Sequence, residues 1–224
     1  MIKPSRIFEV FESDDKRKIF TRNLYPSQKY FNEAVFLENN VEYREFDPRR
    51  SKLAASIMKG CYNIFIRKND VVLYLGASHG YTVSYVSDIV GKEGFVFAVD
   101  SAPRVVRDLY FLAKARDNIA PILADANNPL GYMQNVCKAD VLFQDIAQRN
   151  QAEIFLKNVN LLLKENGYAL LAVKARSIDV TKKPSVIFRD VRQKLEKEMT
   201  VVDYKTLEPY QIDHCLFICK NKKR

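Results

Sequence analysis

Two lysines and one aspartate are suited by type and position to drawing a proton from a weakly acidic hydroxyl. Lys52 lies at the start of a predicted helix, Asp145 ends one apolar run, and Lys174 ends the next. A lysine near a second cation has a lowered pKa and can act as a base, and a carboxylate can fix its orientation. We therefore expect Asp145 to orient Lys174 and Lys52 to add positive potential, a combination that suits group transfer to a hydroxyl.

A second group of residues predicts a nucleoside-cofactor site. The loop Gly76–Gly80 follows an apolar run and opens a helix, where glycines let the backbone turn sharply and approach a ligand. Asp100 ends the next run and is placed to bond a ribose diol, and Asp125-Ala126 is suited to an adenine edge. The loop lacks the additional glycine of GxGxxG, which favours adenosylmethionine over NAD.

Alternating strand-like and helix-like segments must position these residues. Short runs that are apolar on every side indicate strands buried between two helical layers, and their alternation with helices predicts a mostly parallel sheet. The last two runs are joined by a short polar link and should pair antiparallel. The predicted strands are VVLYLG (71–76), FVFAVD (95–100), PILAD (121–125), ADVLFQDI (139–146), GYALLAVKA (167–175), VVDYKTLEP (201–209) and CLFICKN (215–221). This α/β pattern is that of a Rossmann-like, class I methyltransferase with a seven-stranded sheet and an antiparallel last strand.

The beginning of the chain follows a different pattern. IFEVFE and KIFTRNL flank the turn-forming segment 13–15, which predicts a small antiparallel hairpin. We divide the chain into a small β-rich unit over residues 1–48 and a methyltransferase domain over residues 49–224. Ser51 is a predicted helix N-cap. Over 185–199 one apolar face is predicted to be buried; it comprises Ile187, Val191, Leu195 and Met199.

Composition restricts the partners and the compartment. The net charge is +9, and residues 151–224 carry fifteen basic against nine acidic side chains. Such an excess fits either a polyanionic partner or a merely well-solvated surface. The four cysteines are expected to be buried or half-buried free thiols, and neither a metal site nor a membrane span is predicted. The segment 1–15 lacks the features of a signal peptide, so we expect a cytoplasmic protein.

Longer motifs resemble the fibrillarin family over nearly the whole chain. They are Arg50-Ser51-Lys52-Leu53-Ala54-Ala55, Leu73-Tyr74-Leu75-Gly76-Ala77, Thr82-Val83-Ser84, Val86-Ser87-Asp88-Ile89-Val90-Gly91, Asp145-Ile146-Ala147-Gln148, Leu207-Glu208-Pro209-Tyr210 and Asp213-His214. The resemblance implies 2′-O-methylation of ribose in rRNA and tRNA with S-adenosylmethionine, within a box C/D ribonucleoprotein. It further implies a guide RNA, a Nop-family scaffold protein and a kink-turn-binding protein as partners.

The resemblance also implies roles for particular residues. Lys52, Asp145 and Lys174 match the catalytic set of the family, and His214 is implied as its fourth member. The cofactor contacts, which include residues of the glycine loop, are expected to be Gly76, Ala77, Gly80, Tyr81, Thr82, Asp100, Ser101, Asp125, Ala126, Asp145, Ile146, Ala147 and Gln148.

Three features depart from the family pattern. His79 and Tyr81 stand where small residues are usual, and we expect His79 to lie at the solvent edge of the site. Asp100 replaces a usual glutamate and shortens the reach of the carboxylate by one methylene. With seven glycines, the chain has no Gly/Arg-rich tail and resembles the archaeal form.

Two other functions remain open at this stage. A small-molecule O-methyltransferase could use the same cofactor, although the sequence offers neither a carboxylate cluster for a metal nor a long insertion after the fourth strand. A catalytically inactive assembly protein of a ribonucleoprotein could keep the fold, although the retention of Lys52, Asp145 and Lys174 speaks against it. Transfer of labelled methyl to RNA separates these readings.

Overall fold

Residues near the N-terminus form an antiparallel sheet of five strands, in the order β1-β2-β3-β5-β4. The structure is a computed structural model that describes residues 1–222. The strands are β1 Ile2–Pro4, β2 Val10–Ser13, β3 Ile19–Arg22, β4 Val35–Glu38 and β5 Val41–Glu45.

One hairpin of this sheet was predicted and one was missed. β2 and β3 pair antiparallel with Val10 opposite Thr21, which confirms the predicted hairpin. The second hairpin joins β4 to β5 through Asn39 and Asn40, which have φ values of 51° and 60°. Asparagine tolerates this left-handed conformation, and two such residues match the tight turn of a two-residue hairpin.

The central sheet has seven strands in the order β11-β12-β10-β9-β6-β7-β8. β10, β9, β6, β7 and β8 run parallel, whereas β12 is antiparallel to both β10 and β11, as predicted. The strands are β6 Val71–Leu75, β7 Phe95–Asp100, β8 Ile119–Leu123, β9 Ala139–Gln144, β10 Leu163–Lys174, β11 Met199–Thr206 and β12 His214–Asn221.

Helices cover both faces of this sheet. The helices are α1 Lys52–Met58, α2 Tyr81–Val90, α3 Pro103–Lys114, α4 Gln151–Leu162, α5 Ala175–Ile178 and α6 Pro184–Glu198, with 3-10 turns at Pro129–Gly131 and Met133–Asn135. α1, α2 and α3 pack in one apolar cluster, and α4 and α6 pack in another. The predicted apolar stripe of α6 is buried; its last member, Met199, is the first residue of β11 rather than part of the helix.

The N-terminal sheet packs into the apolar cluster that contains α1, α2 and α3. Val10, Ile19 and Phe46 from the N-terminal region belong to the same buried cluster as Leu53 and Tyr85. The rings of Phe46 and Tyr85 stack with centroids 4.2 Å apart. A boundary at residue 48 therefore separates two sheets but not two hydrophobic cores.

A fully buried group of charges also joins the two sheets. Arg44 on β5, Asp88 on α2 and Arg116 after α3 have side chains that are 0% exposed. Asp88 accepts from Arg44 Nη1 and Arg116 Nη1, each at 2.8 Å, and Glu33 accepts from Arg44 Nε at 2.8 Å. Ser84 accepts a further bond from Arg44 Nη2 at 2.9 Å. Because each charge has an opposite partner, burial here is tolerable.

The cysteines depart from expectation at one position. Cys61, Cys215 and Cys219 are buried, and burial raises the pKa of the Cys61 thiol to about 11. Cys137 is exposed, because it lies in the loop that precedes β9 instead of on a strand. Over residues 1–222, no helix is both long and apolar enough to cross a membrane.

Candidate active site

The four residues with predicted catalytic roles line one cavity at the carboxyl ends of the parallel strands. The cavity has a volume of about 930 Å³, and its walls include Lys52, Asp145, Lys174 and His214. The carboxyl ends of parallel strands meet at one edge of a sheet, and ligands of such folds bind there. Residues that are up to 162 positions apart in the sequence are thereby brought together.

Lys52 and Asp145 form an ion pair inside this cavity. Lys52 Nζ lies 2.8 Å from Oδ1 and 2.9 Å from Oδ2 of Asp145, and the two side chains are 20% and 21% exposed. Ser51 caps α1 by accepting from Ala54 N at 3.3 Å, as predicted, and its Oγ also accepts from Thr82 Oγ1 at 3.0 Å. These bonds hold the start of α1, where Lys52 is the first residue, against the start of α2.

The ion pair changes the role expected for Asp145. The sequence suggested that Asp145 orients Lys174, but its ion pair is with Lys52, because the first turn of α1 directs the Lys52 ammonium at this carboxylate. Partial exposure of both groups leaves the pair open to a ligand. Asp145 therefore anchors one cation of the cavity and leaves Lys174 to be held by other contacts.

Lys174 and His214 face each other across neighbouring strands. They are partners in the β10–β12 register, with Lys174 exposed and His214 half-buried. His214 Nδ1 lies 2.5 Å from the carbonyl oxygen of Ile212, and because a carbonyl only accepts, Nδ1 carries the proton. Burial, aided by Lys52 and Lys174, lowers the pKa of His214. The ring is therefore neutral at pH 7, with Nε2 able to accept a proton.

The glycine loop serves two different purposes. Gly76 has a φ of +80°, and a Cβ there would lie 2.3 Å from the carbonyl oxygen of Asp145, so only glycine allows β6 to approach the Asp145 backbone. Gly80 has a φ of +90°, and a Cβ there would lie 2.5 Å from Leu112 and 2.8 Å from Leu109. Gly80 thus permits close packing on α3 and is not among the residues that line either cavity of the site.

A second, narrower cavity of about 280 Å³ adjoins the first. The two cavities share Gly76, Ser78, Asp145 and Ala147. The carboxylate of Asp100 enters the narrow cavity, where Oδ2 accepts from Ser78 N at 2.8 Å and Oδ1 from Ala102 N at 3.0 Å. The remaining walls of the narrow cavity are Val99, Ser101, Ala124, Asp125, Ala126, Ile146 and Gln148.

Every residue with a predicted cofactor role except Gly80 lines one cavity or both. Ala77, Tyr81 and Thr82 line the wide cavity, and Gly76, Asp145 and Ala147 line both. The others, from Asp100 to Gln148, line the narrow one. The two adjoining cavities thus combine a smaller part lined by Asp100 and Asp125 with a wider part lined by two lysines and two histidines.

Several residues of the wide cavity were not found by sequence reasoning. Tyr30, Phe31 and Arg50 reach the cavity from the N-terminal part of the chain, and Phe111 reaches it from α3. The Arg50 guanidinium lies 4.1 Å from the centroid of the Tyr81 ring, and Arg50 Nη1 donates to the Phe31 carbonyl at 2.8 Å. The Phe31 ring of the N-terminal unit also lies 5.5 Å from the Tyr81 ring, so Arg50 and Phe31 together brace Tyr81 in the site.

His79 lies where the sequence placed it, at the solvent edge. Its side chain is 57% exposed, and Nε2 lies 3.6 Å from Oδ2 of Asp108 on α3. Both residues line the mouth of the wide cavity.

Comparisons with known proteins agree with this geometry. The family model described as Fibrillarin matches residues 2–223. A relative named fibrillarin-like rRNA/tRNA 2′-O-methyltransferase, from Methanosarcina barkeri (strain Fusaro / DSM 804), is 48% identical over 220 residues, covering 96% of each chain. The crystal structure of Aeropyrum pernix fibrillarin with natively bound S-adenosyl-L-methionine is 38% identical with a TM-score of 0.90, covering 98% of this chain and 97% of that one.

A second solved structure shows a protein with this fold in an assembly. The structure of a fibrillarin/Nop5p complex matches with a TM-score of 0.87 and 38% identity, covering 96% of this chain and 98% of that one. A family model that spans residues 2–223, a 48% identical relative matched over 96% of both chains and a matching fold lead to one conclusion. This chain belongs to the fibrillarin family.

Proposed function

We propose that this chain transfers a methyl group from S-adenosylmethionine to ribose 2′-hydroxyls of rRNA and tRNA. The observation that carries the proposal is the convergence of the Lys52–Asp145 pair, Lys174 and His214 on the cavity that adjoins the carboxylate-lined one. A relative that is 48% identical along its length bears the name of this activity.

The narrow cavity fits the nucleoside part of the cofactor. The Asp100 oxygens each accept one backbone N–H, which leaves further lone pairs for the two hydroxyls of a ribose. Asp125 and Ala126 lie beside Asp100 in the same cavity and suit the adenine edge. The wide cavity begins at Gly76 and Asp145 and would take the methionine end. When bound, adenosylmethionine supplies an electrophilic methyl group.

The chemistry of the wide cavity then falls to the protein's own side chains. A ribose hydroxyl is a weak nucleophile until its proton is withdrawn or strongly polarised. Lys174 ends β10 with no ion pair among residues 1–222, so its Nζ is available to that hydroxyl. The Lys52 ammonium adds positive potential, and neutral His214 offers Nε2 as a nearby acceptor.

We propose that the chain works in a guided particle. The solved complex of a relative contains Nop5p, which supports a Nop-family scaffold as the partner. A box C/D guide RNA would select the target nucleotide by base pairing, and a kink-turn-binding protein would complete the assembly. The basic excess over 151–224 suits contacts with phosphates that carry no sequence information.

The decisive experiment is transfer of labelled methyl from adenosylmethionine to a target RNA. We expect transfer when the chain, a Nop-family scaffold, a kink-turn-binding protein and a guide RNA are all present, and none when the target nucleotide carries a 2′-hydrogen in place of its hydroxyl. Labelling of the 2′-deoxy target at the same position would contradict ribose methylation. Transfer to small hydroxyl compounds, but never to RNA, would favour the small-molecule alternative.

Asp100→Ala is expected to weaken adenosylmethionine binding by roughly 10- to 150-fold. A charge-assisted hydrogen bond contributes about 1.5–3 kcal/mol, and Asp100 would make such bonds with the ribose. Calorimetry on the isolated chain measures the change, with Asp190→Ala on the exposed face of α6 as the control. Unchanged affinity in Asp100→Ala would show that the ribose lies elsewhere.

Binding of RNA by the isolated chain is expected to be weak, salt-sensitive and indifferent to sequence. Residues 151–224 carry six more basic than acidic side chains, and phosphate contacts release counterions, so affinity should fall steeply with salt. Fluorescence anisotropy with several single-stranded RNAs at two salt concentrations measures this. Tight and sequence-selective binding by the chain alone would overturn the guide-dependent reading.

A further inference from the structure

Gln151, the first residue of α4, is completely buried, and it is not among the residues that line either cavity. Its side-chain amide nevertheless contacts the site through backbone groups. Oε1 accepts from Lys174 N at 3.1 Å, and Nε2 donates to the Lys174 carbonyl at 3.3 Å. Nε2 also donates to the Gln148 carbonyl at 2.9 Å. One side chain thus bonds both the strand end that carries Lys174 and the loop that lines the cofactor cavity.

The end of the β9–β10 ladder explains why Lys174 needs this contact. The register of the two strands ends with Leu171 opposite Gln144, three residues before Lys174. On the other side, Lys174 is still paired with His214 of β12. Gln151 supplies the donor and the acceptor that a continuing β9 would have supplied, so the Lys174 peptide is held from both sides.

A second buried amide fixes Gln151 in turn. Gln144 Nε2 donates to the carbonyl oxygen of Gln151 at 2.6 Å, and Gln144 is completely buried. Gln144 Oε1 has no hydrogen-bond partner within residues 1–222. A buried polar atom without a partner is destabilising, and an apolar side chain of similar size would avoid that cost. Packing alone therefore does not explain two hydrogen-bonded glutamines in the core. Their bonds do fix the position of the Lys174 backbone.

We propose that Gln151 is a positioning residue that sets Lys174 in register with the Asp145–Gln148 loop, so that the lysine amine and the cofactor's reactive end keep a fixed separation. The inference rests on the proposed function, in which Lys174 acts on the target hydroxyl. Gln151 touches neither substrate nor cofactor and acts through the two backbones that it joins. A displacement of about 1 Å in such a site reduces rates by on the order of 10²-fold.

The test compares two buried amides of the same chemistry at different places. Gln151→Met keeps length and volume but removes all three bonds. Asn118→Leu does the same to an amide that donates to Ser87 O at 3.0 Å and Gly91 O at 2.9 Å, away from both cavities. Single-turnover methyl transfer is measured in the complete particle at saturating adenosylmethionine, with thermal unfolding and cofactor affinity measured alongside.

Gln151→Met is expected to slow the single-turnover rate by roughly 10- to 100-fold with cofactor affinity changed less than about threefold. Asn118→Leu should lower the melting temperature comparably and leave the rate within about twofold of wild type. Gln151→Met added to Lys174→Ala should cause no further loss, because Gln151 acts through Lys174. If the methionine variant fails to fold, Gln151→Glu replaces it in the test. Glutamate keeps the acceptor for Lys174 N but lacks the donor to the carbonyls of Gln148 and Lys174, so it is also expected to slow transfer.

Three results would overturn the inference. The first is a wild-type rate of methyl transfer in the Gln151 variants. The second is that Gln151→Met slows transfer as much in the Lys174→Ala background as in the wild-type background. The third is that Gln151→Met slows transfer no more than Asn118→Leu does. Failure of the underlying function looks different, because the wild-type particle would then transfer no methyl to RNA, or Lys174→Ala would keep the full rate.

Discussion

Lys174→Ala is expected to slow single-turnover methyl transfer by on the order of 10²-fold or more while leaving adenosylmethionine affinity nearly unchanged. The loss of a general base or of a group that polarises the nucleophile has this magnitude. Lys174 lines the wide cavity and has no predicted contact with the cofactor. In the proposed mechanism its amine acts on the target hydroxyl in the transition state, so its loss should leave ground-state binding of the cofactor nearly unchanged. Rate and affinity are measured on the same preparations of the assembled particle.

The companion variants locate the proton acceptor. Asp145→Ala should also slow transfer strongly, because it leaves the partly buried Lys52 ammonium without its partner. His214→Ala should have a smaller effect if Lys174 takes the proton. Lys197→Ala, an exposed lysine on α6, is the matched control and should keep the wild-type rate. Wild-type rates in both Lys174→Ala and Asp145→Ala would refute the mechanism, and lost cofactor binding in the lysine variant would reassign Lys174 to the cofactor pocket.

Asp88→Leu is expected to lower the free energy of unfolding by roughly 3–5 kcal/mol. Its carboxylate is the described ion-pair partner of Arg116 and one of two partners of Arg44, and all three side chains are 0% exposed. Removing one partner of a buried pair leaves an uncompensated charge in a medium of low polarity. Denaturant unfolding of the isolated chain measures the change.

Two milder variants calibrate this stability effect. Glu196→Gln breaks an exposed pair with Arg192 on α6 and should cost less than about 1 kcal/mol. Thr21→Val removes one hydroxyl that donates to Asp88 at 2.8 Å, and should fall between the two, at about 1 kcal/mol. A loss in Asp88→Leu no larger than that in Glu196→Gln would show that the buried arginines find other partners.

The central sheet and the edge that carries the site could be predicted because their signals are local. Apolar runs such as 71–76 and 95–100 are buried on both faces, so their composition alone identifies strands of a parallel sheet. Parallel strands with helical crossovers place all their carboxyl ends on one edge. The positions of Asp100, Asp145 and Lys174 in one site follow from that rule.

The features that were missed depend on contacts between distant parts of the chain. Arg44 is a charged residue in a short strand, so the sequence alone predicts that it is exposed to solvent. It is buried because it pairs with Asp88 and Glu33, which are not its neighbours in sequence. The β4–β5 hairpin did carry a local signal in Asn39-Asn40. Arg50 could not be assigned to the cavity without knowing that its guanidinium packs on the ring of Tyr81 at the start of α2.

The position of β12 has a consequence for synthesis of the chain. β12 pairs with β10 on one side and β11 on the other, although the ribosome makes it after both. Until residues 214–221 have emerged from the ribosome, the long edge of β10 is open and could pair with another strand. Arrival of β12 closes that edge and brings His214 beside Lys174 in the same event. The nascent sheet therefore loses this open edge and gains His214 in its site at one moment, after the other described strands of the sheet have been made.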